Sequence, residues 1–535
     1  MYLRTITGQT LPLIFTRFLF VKMDAVNIVF LLAGYTKTRC NPSAPPSDSW
    51  VYTSLIRFDG ETYMAAGHTQ IKFGTDGWRG IIADDFTVAN VQLATQAVCN
   101  WIKRNGNTAA GMVVGYDCRA QSDVFANAVA KVAIGNDIAV QLTNRPCSSP
   151  TVSFAVERSK AAVGIMITAS HNPPSFNGLK IKATYGGSAT PEIIKQIEAE
   201  LALITPADIV LSNERVETVD LITDYLKQCA SIVDLELIKK SGFRPVIDPM
   251  HGSGAGMLSS ILRDAGIECI EIRAERNPYF GGVNPEPIAS NMKALFDAVT
   301  ESGFDVGICL DGDADRFGAC DAKGRFVDCH RLFAVLLKHL TTYRGLTGDV
   351  VRTVSTTRAL DKLCANRGIR LIETPIGFKY ICDLMLQGDV MIGGEESGGI
   401  GVKGHLPERD GVVMGLLVLE AMSAAGKRLE DLIDDVFAEV GPHEYTRNDM
   451  HPDTAAMPAI NAGLQAFAEP TFDGRDIKEI VRKDGTRLDF MDGAWLLLRP
   501  SGTEPVVRVY AEASTIEQAQ RLVASGVAYV NSFGA

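Results

Sequence analysis

The chain has 535 residues, more than one core organises, so several domains are expected. With 46% hydrophobic and 21% charged residues it reads as globular, and its net charge of −11 argues against a nucleic acid or an acidic membrane as partner. A small anionic ligand is not excluded, because a few Arg, Lys and backbone N–H groups suffice to hold a phosphate. The 11 cysteines are an odd number, scattered and without a CxxC pair, which suits reduced thiols in the cytoplasm better than a disulfide framework.

Residues 1–65 read as an N-terminal extension. Leu11 to Leu32 is apolar but broken by Arg17, Lys22 and Asp24, so it makes a poor transmembrane helix, and no clean signal-peptide cleavage site follows it. Asn41 to Ser49 is rich in Pro and Ser. The extension is expected to be disordered or a mis-called start, with a targeting peptide as the alternative. Ile71-Lys72-Phe73-Gly74 is then the first strand expected. The glycine-rich turn after it ends in Arg79, whose planar fork suits a phosphate. Met112 to Val114 is another strand, running into Asp117-Cys118-Arg119, where a pair tying the loop is at least as good a reading as a substrate role.

Ala161 to Ile167 is apolar and predicts a buried strand. It ends in Thr168-Ala169-Ser170-His171-Asn172-Pro173, which places Ser170 on a tight loop at a strand's carboxyl end, where open α/β sheets build their sites. Lys180 follows closely. Pro191 to Leu203 predicts a helix, Arg244 to Asp248 a strand, and the turn His251 to Gly256 a connection rather than a phosphate site. Phe304 to Leu310 predicts a second apolar strand, ending in Asp311-Gly312-Asp313-Ala314-Asp315-Arg316. Alternating aspartates on a turn can aim three carboxylates at one hard cation. An EF-hand would need Gly and Glu where Arg316 and Ala322 stand.

Further on, Val350 to Val354 and Val390 to Ile392 predict strands, with Thr374 to Lys379 and Gly394-Glu395-Glu396-Ser397-Gly398-Gly399 as strand-end loops. The strand-loop-helix rhythm suggests an internal repeat of one α/β unit. Glu444 to about Asp473 reads as a linker. The remaining segment, with the loop Arg499-Pro500-Ser501-Gly502-Thr503-Glu504-Pro505 and a final helix from Ile516, reads as α+β.

The Ser170, Asp311, Glu395 and Arg499 loops, in this order and spacing, resemble the α-D-phosphohexomutase superfamily of phosphoglucomutases and phosphomannomutases, from about Ile71 to the C-terminus. The resemblance implies three similar α/β mixed-sheet domains followed by a smaller α+β domain around a central cleft. The corresponding boundaries are 66–220 for a phosphoserine domain, 221–324 for a metal-binding domain, 325–446 for a sugar-binding domain and 447–535 for a phosphate-binding domain that swings to close the cleft.

It also implies an enzyme interconverting hexose 1-phosphate and hexose 6-phosphate. Ser170 would be carried as phosphoserine. Mg²⁺ would be held by Ser170, Asp311, Asp313 and Asp315, with glucose 1,6-bisphosphate as activator and intermediate. Catalysis would fall to Ser170, Lys180, His171 and Arg316, with Lys180 as a general base of depressed pKa. Arg79, Gly377, Lys379, Glu395, Ser397, Arg499, Ser501, Gly502 and Thr503 would bind substrate. Glu396 and His405 read as structural or secondary, and Arg508 as a surface residue.

Glucose ranks before mannose. Thr168, Ala314 and Glu396 lean away from glucosamine mutases, which more often carry Ser, Gly and Gln there. Phosphomannomutase or dual specificity is the alternative, and a sugar bisphosphate synthase or phosphatase a more distant one. A simple sugar phosphatase and a non-catalytic phosphosugar-binding protein are the rival classes. The partner is a small hexose phosphate, with no nucleic acid and no membrane, and the chain is expected to be a monomer or homodimer.

Overall fold

Three times along the chain an apolar strand runs into a loop and comes back antiparallel to itself. Val163–Ile167, buried throughout, returns as Phe176–Lys182, with Ile167 opposite Leu179. Val306–Leu310 returns as Phe317–Asp321, with Leu310 opposite Phe317. Val390–Gly394 returns as Ile400–Val402, with Gly394 opposite Ile400. On its other side each outgoing strand runs parallel to a neighbour, respectively Met112–Tyr116, Pro245–Asp248 and Asp349–Thr353. A strand covered on both faces has to be apolar at every position, which is why these runs mark the sheet centres. The recurrence accounts for the rhythm seen in the sequence.

This computed structural model describes residues 71–74, 76–501 and 505–533 in full, and earlier only the backbone of Tyr2–Arg4 and Thr10–Pro12, two short strands that pair antiparallel. The expected extension over 1–65 otherwise lies outside the described residues, as do Gly502 and Thr503. From Ile71 onward the chain is one compact unit. Its first three sheets have six, five and four strands, all mixed, with helices between the strands. The fourth has six strands paired antiparallel, from Glu444–Met450 at one edge to Thr471–Phe472 at the other, and carries the helices Met457–Ala466 and Ile516–Asn531.

Two expectations need correction. Ile71 to Gly74 forms no strand, and Gly74 makes only an isolated bridge to Gly77. The place beside Phe176–Lys182 is taken by Trp78–Ile81, which turns Trp78 and Gly80 inward. The stretch from Glu444 is not a linker either. Glu444–Met450 pairs along its length with Val507–Ala513, and its polar character is that of an edge strand with a half-exposed face. Pro458 lies in the first helical turn of Met457–Ala466, where proline starts a helix rather than breaking it.

Gly411–Ala425 is buried from Gly411 through Ser423 and anchors a core shared by the first three sheets. Asp410 caps it, accepting from the amides of Val412 and Val413. The same carboxylate accepts from Tyr225 Oη at 3.0 and 2.9 Å and pairs with His405 Nε2 at 2.8 Å, so His405 serves this cap. All ten described cysteines are free thiols, and no described helix is long and apolar enough to cross a membrane.

The fourth sheet is fastened to the third by charge and by the packing of Val354 against Trp495, Leu497 and Tyr510. Glu373 accepts from buried Arg352 at 2.8 Å and from Arg487 at 2.6 Å, while Arg358 donates its backbone amide to buried Glu512 at 3.0 Å. Burial alone would raise Glu373, but the two guanidinium groups outweigh it and hold its pKa at about 2. A carboxyl depressed in the folded state adds stability above its unfolded pKa and loses it as pH falls through the folded one. Glu373→Gln is therefore expected to cost about 2 kcal/mol at pH 7. That cost should shrink as the pH is lowered from about 4.5 towards 2, which urea titrations of both proteins across that range check.

Candidate active site

The Ser170 loop is shaped by one buried arginine. Arg119 Nη2 donates to the carbonyls of Ser170 and Asn172, both at 2.7 Å, and Nη1 to those of Pro173 and Phe176 at 2.8 and 3.0 Å. Its Nε lies 3.2 Å from Asp117, which also accepts from Thr168 Oγ1 at 2.6 Å and Ser122 Oγ at 2.7 Å. The guanidinium is thus spent on the loop. Ser170 itself sits at φ 53°, left-handed backbone that a serine adopts at a cost of ~1–2 kcal/mol. The four carbonyl contacts hold it there.

Ser170 is fully buried, and its Oγ donates to Asp311 Oδ2 at 2.9 Å. His171 Nδ1 lies 3.5 Å from the same Oγ. Asp311, Asp313 and Asp315 are all buried and offer one oxygen each within 4.8 Å of the others. Ala314 at φ 57° bends the loop so that alternate carboxylates converge. Burial, and then the charges of Asp313 and Asp315, push Asp311 well above the usual carboxylate range. Asp313 Oδ1 and Asp315 Oδ1 are buried without a hydrogen bond. Hard oxygens with unused lone pairs and crowded negative charge fit a divalent cation. Ser149 at a helix start fixes the loop by donating its amide and its hydroxyl to Asp313.

Lys180 departs from expectation. Its Nζ lies 2.8 Å from both Asp313 Oδ2 and Asp315 Oδ2 and 2.9 Å from Asp76 Oδ2. Burial lowers its pKa, but these three carboxylates outweigh burial and raise it. The ammonium form is therefore favoured, because the acidic loop and not Arg316 is its nearest neighbour. His171 is displaced the other way, well below the ordinary imidazole value, by burial and then by Arg316, Arg79 and Lys180. Arg316 faces Asp315 at 3.8 Å, and Arg79 Nη1 donates to Asn172 of the serine loop at 2.5 Å.

Glu395 is buried and joins this cluster through Arg409, a residue that drew no role in the sequence. Arg409 Nη1 reaches Glu395 Oε2 at 2.9 Å, and Nη2 reaches Asp315 Oδ2 at 2.9 Å and Asp76 Oδ2 at 2.6 Å. Ser397 lies in the same turn, half-buried. Gly398 there has φ 97°, and a Cβ on it would fall 2.4 Å from Phe317 O, so the Glu395 loop rests directly on the strand leaving the aspartate loop. Glu396 turns away and accepts from Ser355 Oγ at 2.5 Å.

A second group of predicted residues gathers around Asp484. Its carboxylate accepts from Arg499 Nε at 2.9 Å and from the amide of Ile376, next to Gly377, at 2.9 Å. Gly377 at φ 132° opens the helix Phe378–Gln387, and Lys379 Nζ lies 5.2 Å from the Tyr380 ring. Ser501 donates its amide to Val506 O at 2.7 Å. Asp76, Arg409, Ser149 and Asp484 all escape local motif reading, since each has at least one partner far away in the chain.

Known proteins fit this arrangement. Models of the phosphoglucomutase/phosphomannomutase family match as four consecutive pieces. Alpha/beta/alpha domain I covers 70–207, domain II 223–324, domain III 328–440 and the C-terminal domain 447–527. The chain belongs to this family, within the α-D-phosphohexomutase superfamily, and is an enzyme of the phosphotransferring mutase type. A phosphoglucomutase/phosphomannomutase of Thermococcus kodakarensis is 30% identical, covering 85% of this chain and 97% of its own. A phosphoglucosamine mutase of Salinispora tropica is 32% identical, covering 85% and 97%. The solved structure of a candidate phosphomannomutase from Thermus thermophilus is 35% identical, with a TM-score of 0.77, covering 87% of this chain and all of its own.

The clamp on the serine loop carries a prediction. Arg119→Met leaves four carbonyls without their donor and is expected to lower kcat by more than tenfold while destabilising the fold by about 2–3 kcal/mol. Steady-state kinetics beside urea unfolding of the same preparation measures both.

Proposed function

We propose that the chain moves a phosphoryl group between O1 and O6 of a hexose phosphate through phospho-Ser170 and a hexose 1,6-bisphosphate. The observation that carries this is the 2.9 Å contact of Ser170 Oγ with Asp311 in a buried three-carboxylate loop. A hydrolase triad would instead put a base, itself oriented by a carboxylate, on that hydroxyl. In the first half-reaction the Oγ–P bond breaks as the bond from phosphorus to the free sugar hydroxyl forms. In the second, the bisphosphate returns its other phosphate to Oγ. One proton must leave the attacking hydroxyl and one must reach the leaving oxygen. His171, beside Oγ, and Lys180, whose Nζ pairs with the carboxylate loop, are assigned these two transfers.

Asp311, Asp313 and Asp315, with Ser170, would hold Mg²⁺, which when bound neutralises charge on the phosphoryl oxygens. Arg316 and Arg79 add positive charge near the transferred group. Glu395 and Ser397 are assigned to the sugar 3- and 4-hydroxyls, which occupy nearly the same places when the sugar turns round, so one loop serves both half-reactions. Arg499, Ser501, Gly502 and Thr503 are assigned to the distal phosphate, with Gly377 and Lys379 alongside.

Glucose phosphate is the substrate ranked first, mannose phosphate second. The curated relatives span glucose, mannose and glucosamine phosphates, so the assay compares all three 1-phosphates with Mg²⁺ and the matching 1,6-bisphosphate. A kcat/KM at least tenfold higher for glucose supports the ranking, and a glucosamine preference overturns it. Ser170→Ala is expected to lose more than a thousandfold in kcat. Equal isomer formation by that variant would end the phosphoserine reading, and free phosphate in place of isomer would make the protein a phosphatase.

A further inference from the structure

The oxygens that a divalent cation needs are partly held by the protein's own cations. Lys180 Nζ lies 2.8 Å from Asp313 Oδ2 and 2.8 Å from Asp315 Oδ2, and Arg409 Nη2 lies 2.9 Å from Asp315 Oδ2. A cation entering the loop has to loosen these contacts. Both side chains are almost fully buried, so neither can retreat into solvent.

A second anion is within their reach. Lys180 and Arg409 both contact Asp76 Oδ2, at 2.9 and 2.6 Å. Asp76 stands outside the three-aspartate group. Its carboxyl is held well below the usual carboxylate range: burial raises it, and the charges of Lys180 and Arg409 outweigh that. It belongs to the turn before Trp78–Ile81, and Ser188 Oγ lies 3.4 Å from its other oxygen.

We propose that Asp76 is a positioning residue that retains Lys180 and Arg409 when a divalent cation claims Asp313 and Asp315, and that it thereby sets the affinity of the loop for that cation. The inference rests on the metal reading given under Proposed function. With Asp76 neutralised, the two cations have fewer anions to share and bear harder on the loop oxygens. The entering metal then displaces them against a stronger hold.

Mn²⁺ binding to the full chain, followed by electron paramagnetic resonance of the free ion, tests this without turnover. Asp76→Asn is expected to raise the Mn²⁺ dissociation constant at least fivefold, and Asp76→Glu, which keeps the charge, to stay within twofold of wild type. A plain loss of negative field would weaken binding whatever Lys180 does. Competition predicts that the loss is smaller in a Lys180→Met background and that Lys180→Met alone tightens Mn²⁺. Unchanged affinity in Asp76→Asn, an undiminished loss in the Lys180→Met background, or no tightening in Lys180→Met overturns the proposal, the last even if Asp76→Asn fails to fold. No saturable Mn²⁺ binding by wild type would instead refute the metal reading, and this inference with it.

Discussion

Three carboxylates forced together out of water are the constraint around which the rest of the site is built. With their oxygens within 4.8 Å of one another, and at an effective dielectric of ~20, two ionised carboxylates repel by about 3 kcal/mol or more. The fold tolerates this by surrounding the loop with compensation. Lys180 comes from the first sheet, Arg409 from the turn ahead of the central buried helix, and Ser149 from a helix start. Each also helps fix the place of its own segment, so the charge that makes the loop useful also draws the separate sheets onto it.

The repeated strand-and-return unit explains how loops so distant in sequence come close. A buried parallel strand delivers its carboxyl end to a definite point, and the antiparallel return leaves a short loop there. Used three times, the unit presents a serine, an aspartate cluster and a glutamate. Direct contacts then join the loops: Ser170 to Asp311, and Gly398 O to the amide of Phe317. The fourth sheet shares no such unit, and its connection to the third combines side-chain charge on Glu373 and Glu512 with apolar packing of Val354 against Trp495, Leu497 and Tyr510.

What was legible in the sequence follows from the same physics. The central strands read clearly because burial on both faces allows only apolar residues. The return strand Phe176–Lys182 did not, since Asn177, Lys180 and Lys182 are buried with partners that no local pattern reveals; Lys182 pairs with Glu408 at 2.7 Å, 226 positions away. The edge strand Glu444–Met450 passed for a linker for a related reason, being half-exposed and polar. Ser170 and the aspartates stand in compact motifs that can be read locally, and the structure brings them together. Asp76 and Arg409, 333 positions apart, become partners only in the folded chain, and the pKa expected of Lys180 failed because its carboxylate neighbours were not assigned to it.

Ser170 combines complete burial, a left-handed backbone and carbonyls on a four-point arginine clamp. A protein kinase works on a peptide it can draw out into an extended strand, and this loop would have to unfold to comply. Any phosphate that Ser170 carries must therefore reach it on a donor small enough to enter between the sheets. Under the proposed phosphoserine role, the phosphorylation state of the protein would be a record of the sugar phosphates it has met, written without any signalling enzyme.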